Sequence, residues 1–212
     1  MPRRRRKTEA VLAAVGLLAA TPLMLIVAIG ILLSDPGPLF YVADRAGVRG
    51  AVFRMYKFRT MWAGSSGGSR ISEARDSRAF PLGALLRRLK LDELPQLWNI
   101  VRGEMAFVGP RPEDPWFVAH VYTQADRETL EVPPGLTSPG TLYYFTHAEQ
   151  FLDRTDTERS YISGPLKVKL AMDRAYVRNV TAVHDLHLAA ETIRVLASAA
   201  LGHRLPEYSY TK

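Results

Sequence analysis

Residues Ala10–Leu33 read AVLAAVGLLAATPLMLIVAIGILL, twenty-four positions without a charge. About 20 apolar residues cover the hydrocarbon core of a bilayer as a helix, so this run marks a membrane segment and decides the class of fold. A secretory signal is the rival pattern. Its apolar region is ~7–15 residues, shorter than this one, and no small-x-small cleavage site precedes Asp35. The midpoint of the run is Thr21-Pro22. Proline there removes a backbone hydrogen bond and crowds the preceding turn, so a kink or a break is expected. Two forms follow: a kinked helix that crosses, or a re-entrant helix-break-helix that enters and leaves on one face.

Flanking charge favours the second form. RRRRK at residues 3–7 precedes the run; Arg45, Arg49, Arg54, Lys57 and Arg59 follow it, against only Asp35 and Asp44. The positive-inside bias points both ends toward the cytoplasm, which one crossing does not satisfy. Each half, about twelve residues, extends ~18 Å as helix, enough to dip in but not to cross. The whole chain of 212 residues carries 28 Lys and Arg against 21 Asp and Glu, a formal net charge of +7, and no cysteine. The missing cysteines exclude disulfides, thiolate catalysis, iron–sulfur clusters and cysteine zinc sites. The positive balance favours anionic partners: nucleic acid, anionic lipid or phosphorylated substrates.

Beyond the apolar run, Asp35-Pro36-Gly37-Pro38 is a turn-rich exit. AVFRMYKFRTM, residues 51–61, is rich in aromatic and branched side chains and predicts a strand. At a period of two, Phe53, Met55, Lys57 and Arg59 share one face. Two cations there make either a solvated edge or a phosphate-binding pair, and spacing leaves both open. Residues 62–80, WAGSSGGSRISEARDSRAF, have the composition of a mobile surface loop. PLGALLRRLK, residues 81–90, predicts a short helix with Leu82, Leu85, Leu86 and Leu89 on one side and Arg87, Arg88 and Lys90 off it.

LKLDELPQLWN, residues 89–99, comes next. Leu91, Leu94, Trp98 and Val101 form a helical stripe that ends near Gly103. Proline is tolerated only in a first turn, so Pro95 sets the helix start around Asp92. Both carboxylates then sit at a helix N-terminus, where dipole and free N–H groups favour the ionised form by ~0.3–1 kcal/mol. The ordinary reading makes Asp92 an N-cap and Glu93 a first-turn acid. The same position suits carboxylates that ligate Mg²⁺ or attack an electrophile. MAFVGPRPE, residues 105–113, predicts a short strand running into Gly109-Pro110-Arg111-Pro112. Two prolines restrain the backbone around Arg111, which suits its fork to a pair of phosphate oxygens.

These stretches together resemble the bacterial sugar transferases, the monotopic polyprenyl-phosphate phosphoglycosyl transferases in their small single-domain form. The resemblance lies in YKFRTM (56–61), LRRLKLDELPQLWNIVRGEMAFVGPRPE (86–113), PPGLTSPG (133–140), DRAYVRNVTAVHDLHLAAETI (173–193) and the apolar run with its Thr21-Pro22 centre. It implies an α-rich α/β monotopic membrane protein. Residues 1–34 would be the basic N-terminus and re-entrant hairpin, and residues 35–212 a catalytic domain with few short strands and amphipathic interfacial helices. The implied place is the bacterial inner membrane, with the catalytic domain on the cytoplasmic face. The implied reaction transfers a phosphosugar from a UDP-sugar to undecaprenyl phosphate, releasing UMP. In this family the acid matched by Asp92 attacks the β-phosphorus and forms a covalent intermediate, giving ping-pong kinetics. Glu93 then helps hold Mg²⁺, or orients the second phosphate. A diphosphate repels a carboxylate nucleophile unless cations neutralise its oxygens, a task that suits Mg²⁺ together with Lys57, Arg59, Arg88 and Arg111. Membrane lipid is an expected partner, nucleic acid is not, and a homodimer is in keeping with the family.

The chain departs from the family pattern in places. Thr21-Pro22 stands where many members have Ser-Pro, and Pro133–Pro139 lacks the arginine and tryptophan of the usual turn. Residues 140–165 match nothing specific. In the tail, Leu170, Tyr176, Val177, Val180, Val183 and Leu186 to Leu188 suit either amphipathic surface helices or core. His184 and His187 lack the third ligand that zinc requires. The alternative to an enzyme is a basic, membrane-tethered binding module in which Asp92 and Glu93 only cap a helix.

Overall fold

The computed structural model describes residues 3–65, 71, 76–148, 155–203, 205, 206 and 208. Helix α1 runs from Arg3 to Ser34 with Pro22 inside it. The expected break at Thr21-Pro22 is thus not an interruption of the helix. Pro22 has no N–H, so the Leu18 carbonyl lacks its helical donor, while Thr21 Oγ1 donates to the Leu17 carbonyl at 2.9 Å. The segment 6–34 is long and apolar enough to cross a membrane and is mostly exposed, Leu18 at 77% and Leu33 at 81%. An apolar surface of that extent associates with membrane rather than water. Only one side of α1 is packed. Ala13 joins Met55, Ile100 and Met105, and Val27 and Ile31 join Phe58, Phe80 and Leu86.

The rest is a helix-rich α/β domain. Strands β1 (Phe40–Ala46) and β2 (Val52–Phe58) form an antiparallel hairpin, with Phe40 opposite Phe58 and Ala46 opposite Val52. The strand expected over 51–61 is therefore shorter. β1 escaped notice because its Asp44 and Arg45 break the hydrophobic alternation. Helix α2 spans Pro81–Arg88. The loop expected over 62–80 lies partly outside the described residues. After α2 the chain turns a left-handed corner at Lys90 (φ 55°) into a 3₁₀ turn, Leu91–Glu93, and then helix α3, Gln96–Val101.

Strand β3 (Ala106–Val108) pairs in parallel with β4 (Gly135–Thr137), so part of the Pro133–Gly140 turn is strand. The approach beside this pairing is close: a Cβ on Gly135 would lie 2.2 Å from the Gly109 nitrogen. Helix α4 (Pro115–His120) is capped by Asp114, whose carboxylate accepts from the Trp116 N–H at 2.9 Å. Helix α5 (Pro139–Tyr143) is capped by Ser138 and runs on as a π-turn, Tyr144–Ala148. Helices α6 (Thr157–Ser163), α7 (Pro165–Arg178) and α8 (Ala182–Ala200) complete the domain. Val108, Leu142, Tyr176, Leu188 and Val195 form one core cluster among β3, α5, α7 and α8. The tail positions divide accordingly: Leu170, Tyr176 and Leu188 are buried, whereas Val183 and Leu186 are 80% and 73% exposed.

Candidate active site

Asp92 and Glu93 are brought to the wall of a cleft of about 1080 Å³, together with Lys57, Arg111 and Lys90. The local backbone corrects one expectation. Neither acid caps a helix, because α3 begins at Gln96 with Pro95 in the capping position. Proline has no N–H to give the Leu91 carbonyl, which instead accepts from Leu94 at 3.3 Å; the Lys90 carbonyl accepts from Glu93 at 3.2 Å. These i+3 bonds make the turn a 3₁₀ turn. The state of the carboxylates is therefore set by burial and by side-chain cations, not by the end of an α-helix.

The two acids differ sharply. Arg111 Nη1 donates to Glu93 Oε2 at 3.0 Å and Nη2 donates to Oε1, which also accepts from Lys57 Nζ at 3.2 Å. Burial alone would raise Glu93, but the charges of Arg111, Lys57 and Lys90 outweigh it and hold its carboxyl well below the usual range. Asp92 is also buried, and its Oδ1 has no hydrogen-bond partner. Desolvation pushes its pKa up, the adjacent Glu93 charge adds to that, and the Lys57 charge opposes it. Lys57 is itself pushed down by burial, against the pull of Glu93. One turn beyond Asp92, Gln96 is fully buried and neither polar atom of its amide has a partner.

Asn99 fixes these groups relative to one another. Its Nδ2 donates to the Arg54 carbonyl and to Glu104 Oε2, both at 2.7 Å, and its Oδ1 accepts from the Tyr56 N–H at 3.2 Å. Strand β2, which carries Lys57, is thereby pinned to α3.

Two expected phosphate-binding residues stand elsewhere. Arg59 is not on the cleft. Strand β2 ends at Phe58, so the shared face ends with it. The Arg59 side chain is buried against the exit of α1, paired with the Asp35 carboxylate and donating to the Asp35 and Pro38 carbonyls. Arg88 lines the cleft, but its Nη2 donates to the Ala199 carbonyl at 3.0 Å and so ties α2 to the end of α8.

Several cleft groups went unread in the sequence. Arg45 pairs with Asp114 at 3.4 Å. Lys169 and the Tyr161 hydroxyl both donate to Glu113 Oε1, the latter at 2.8 Å, which joins GPRPE to α6 and α7 inside the protein. Glu113 belongs to the quoted motif, so it had a local signal. Its partners lie 48 and 56 residues away and had none.

A divalent cation finds a fitting oxygen in the unpartnered Asp92 Oδ1. Glu93 would join it only by giving up a cation. Among the described residues no group of three metal-ligating side chains occurs, so phosphate oxygens and water would complete the shell, as is usual for Mg²⁺.

Comparison with known proteins adds an independent line. The model of the bacterial sugar transferase family matches residues 3–199. The UDP-glucose:undecaprenyl-phosphate glucose-1-phosphate transferase of Xanthomonas campestris pv. campestris is 33% identical over 194 residues, covering 89% of this chain and 38% of that protein. The UDP-N-acetylgalactosamine-undecaprenyl-phosphate N-acetylgalactosaminephosphotransferase of Aeromonas hydrophila is 31% identical over 199 residues, covering 91% of this chain and 43% of that protein. The chain thus spans less than half the length of these two relatives. The exopolysaccharide production protein ExoY of Sinorhizobium fredii is nearer in size, 35% identical over 207 residues, with 89% of this chain and 83% of that protein covered.

Proposed function

The chain belongs to the bacterial sugar transferase family, and from that premise we propose that it transfers a phosphosugar from a UDP-sugar to undecaprenyl phosphate, as the first membrane step of exopolysaccharide or glycoconjugate assembly. The observation that carries the proposal is the asymmetry of the acidic pair. Both oxygens of Glu93 are occupied by Arg111 and Lys57, whereas the buried Asp92 Oδ1 is unpartnered. Asp92 is the nucleophile. Its carboxylate forms a bond to the β-phosphorus of the donor as the bond from that phosphorus to UMP breaks. An oxygen of the lipid phosphate then bonds to the same phosphorus, and the Asp92 carboxylate leaves, restored. Burial makes the Asp92 carboxylate more basic than in water, which favours attack. Glu93 holds Arg111 and Lys57 where the charge of the diphosphate develops, so the cations need no reorganisation during the reaction. Mg²⁺ held by Asp92, with Glu93 if it releases a cation, would neutralise further phosphate charge.

The placement of α1 supports the re-entrant form at the cytoplasmic face of the inner membrane. Arg6 Nη2 donates to the Gly103 carbonyl at 3.2 Å, and Ile31 packs with Phe58 and Phe80. Both ends of the apolar segment therefore touch the same domain. An anchor of that kind keeps the cleft at the lipid–water boundary, where the acceptor phosphate lies.

The test is turnover. Purified protein with Mg²⁺, undecaprenyl phosphate and a panel of UDP-sugars is expected to release UMP with at least one donor. Asp92→Asn is expected to lower that rate by at least about a thousandfold. Near wild-type turnover by Asp92→Asn would refute the covalent mechanism.

A further inference from the structure

The cations of the cleft are not equivalent. Lys57 and Arg111 are bound to Glu93, Arg45 to Asp114, Lys169 to Glu113, and Arg88 to the Ala199 carbonyl. Lys90 is held differently: its Nζ stands 4.5 Å from the centroid of the Phe145 ring. A cation over an aromatic face is held only weakly where water has access, so a phosphate can take it over through a charge-assisted hydrogen bond. The Lys90 backbone is left-handed, φ 55° and ψ 21°, just past the end of α2, where glycine is the usual residue. Lysine carries a steric cost there, yet the position projects its ammonium into the cleft two residues before Asp92. Phe145 comes from the π-turn at 144–148 and packs against the core cluster that includes Leu142 and Val195, which also line the cleft.

The chemistry of the proposed reaction says which phosphate this is. In-line displacement puts the leaving oxygen opposite the Asp92 carboxylate. The second displacement then brings the attacking lipid phosphate to that same position. One subsite must therefore hold, in turn, the phosphate of UMP and the phosphate of the acceptor. We propose that Lys90, parked on Phe145, is the binding group of this shared subsite for the phosphate that is not transferred. The inference rests on the two-step reading above, and its test is independent of turnover.

Binding to detergent-solubilised full-length protein is measured for UMP against uridine, and for farnesyl phosphate against farnesol. Lys90→Asn keeps a residue that tolerates the left-handed corner and removes the charge. UMP and farnesyl phosphate are each expected to bind about tenfold more weakly to this variant, the scale of one charge-assisted bond. Uridine and farnesol are expected to change by less than about threefold, and Lys90→Arg to restore both phosphates. Equal weakening of the phosphate-free ligands would make Lys90 merely structural, and loss of one phosphate ligand alone would refute a shared subsite. Undiminished binding of both overturns the proposal outright. Absence of UMP release by the wild-type protein across the UDP-sugar panel would count against the reaction itself, separately from Lys90.

Discussion

Glu93 and Asp92 show how adjacent acids acquire opposite characters. Spacing alone made both of them ends of a helix. What separates them is the set of neighbours: the fork of Arg111 and the ammonium of Lys57 converge on Glu93 and leave Asp92 Oδ1 bare. Two of those neighbours were legible, because the prolines around Arg111 and the charged face of β2 are local features. Arg59 shows the limit. Its two-residue spacing from Lys57 suggested a shared face, but its partner Asp35 lies 24 residues away and draws it to the membrane exit instead. Lys90 was visible only as a polar residue off a leucine face, since nothing in a sequence marks a lysine for a left-handed corner. The role of the fork can be tested with charge held constant. Arg111→Lys keeps a cation but cannot engage both Glu93 oxygens in plane, so kcat/KM for the UDP-sugar is expected to fall by at least about tenfold. Steady-state kinetics with the donor varied checks this, and an unchanged value would mean that Arg111 acts only as a charge.

Among the elements, α2 and β3 were legible because short apolar periodicity and flanking prolines are local signals. β4 was not, since a parallel pair formed across 29 residues leaves only glycine and proline in view, which read as turn. The start of α3 was misplaced by four residues for a definite reason: Pro95 allows helical dihedral angles but supplies no N–H, so the chain before it coils with i+3 bonds. The junction of α5 and α7 carries a pH prediction. Asp173 is fully buried on α7; its Oδ1 accepts from the Gly140 N–H at 2.9 Å and its Oδ2 has no partner. Burial pushes its pKa from 3.8 up to about 6, against the Lys169 charge and the bonds from Gly140 and Ser138, while Glu113 adds to the rise. An acid raised in this way binds its proton more tightly in the folded state. The resulting stability is complete below about pH 4 and is lost as pH rises through about 6, a span worth about 3 kcal/mol. The unfolding midpoint of the wild-type protein is therefore expected to drop between about pH 4 and 6 relative to Asp173→Asn. Parallel curves for the two proteins would mean that Asp173 does not titrate in that window.

At the scale of the whole molecule, the apolar run pointed to membrane association, but how α1 sits against the domain depends on contacts that only the fold supplies. Arg6 and Ile31 are 25 residues apart, about 38 Å along a straight helix and more than the ~30 Å of hydrocarbon that a span must cross. If α1 crossed the bilayer, one domain could not touch both residues without entering the lipid. Yet Arg6 is bonded to Gly103, beyond α3, and Ile31 is packed on β2 and on Phe80 before α2. Pro22, lying between them, leaves the Leu18 carbonyl without its helical donor but does not interrupt α1. On the re-entrant form proposed above, both flanks face the same compartment. The chain has no cysteine, so single substitutions Arg4→Cys and Ser65→Cys each provide one reactive thiol, one ahead of the apolar run and one in the loop after β2. With a membrane-impermeant maleimide applied to intact cells, both are expected to stay unlabelled until the inner membrane is permeabilised, and then to label together. Labelling of Arg4→Cys alone in intact cells would show that α1 crosses. The contacts of Arg6 with Gly103 and of Ala13 with Ile100 would then have to be absent in the membrane.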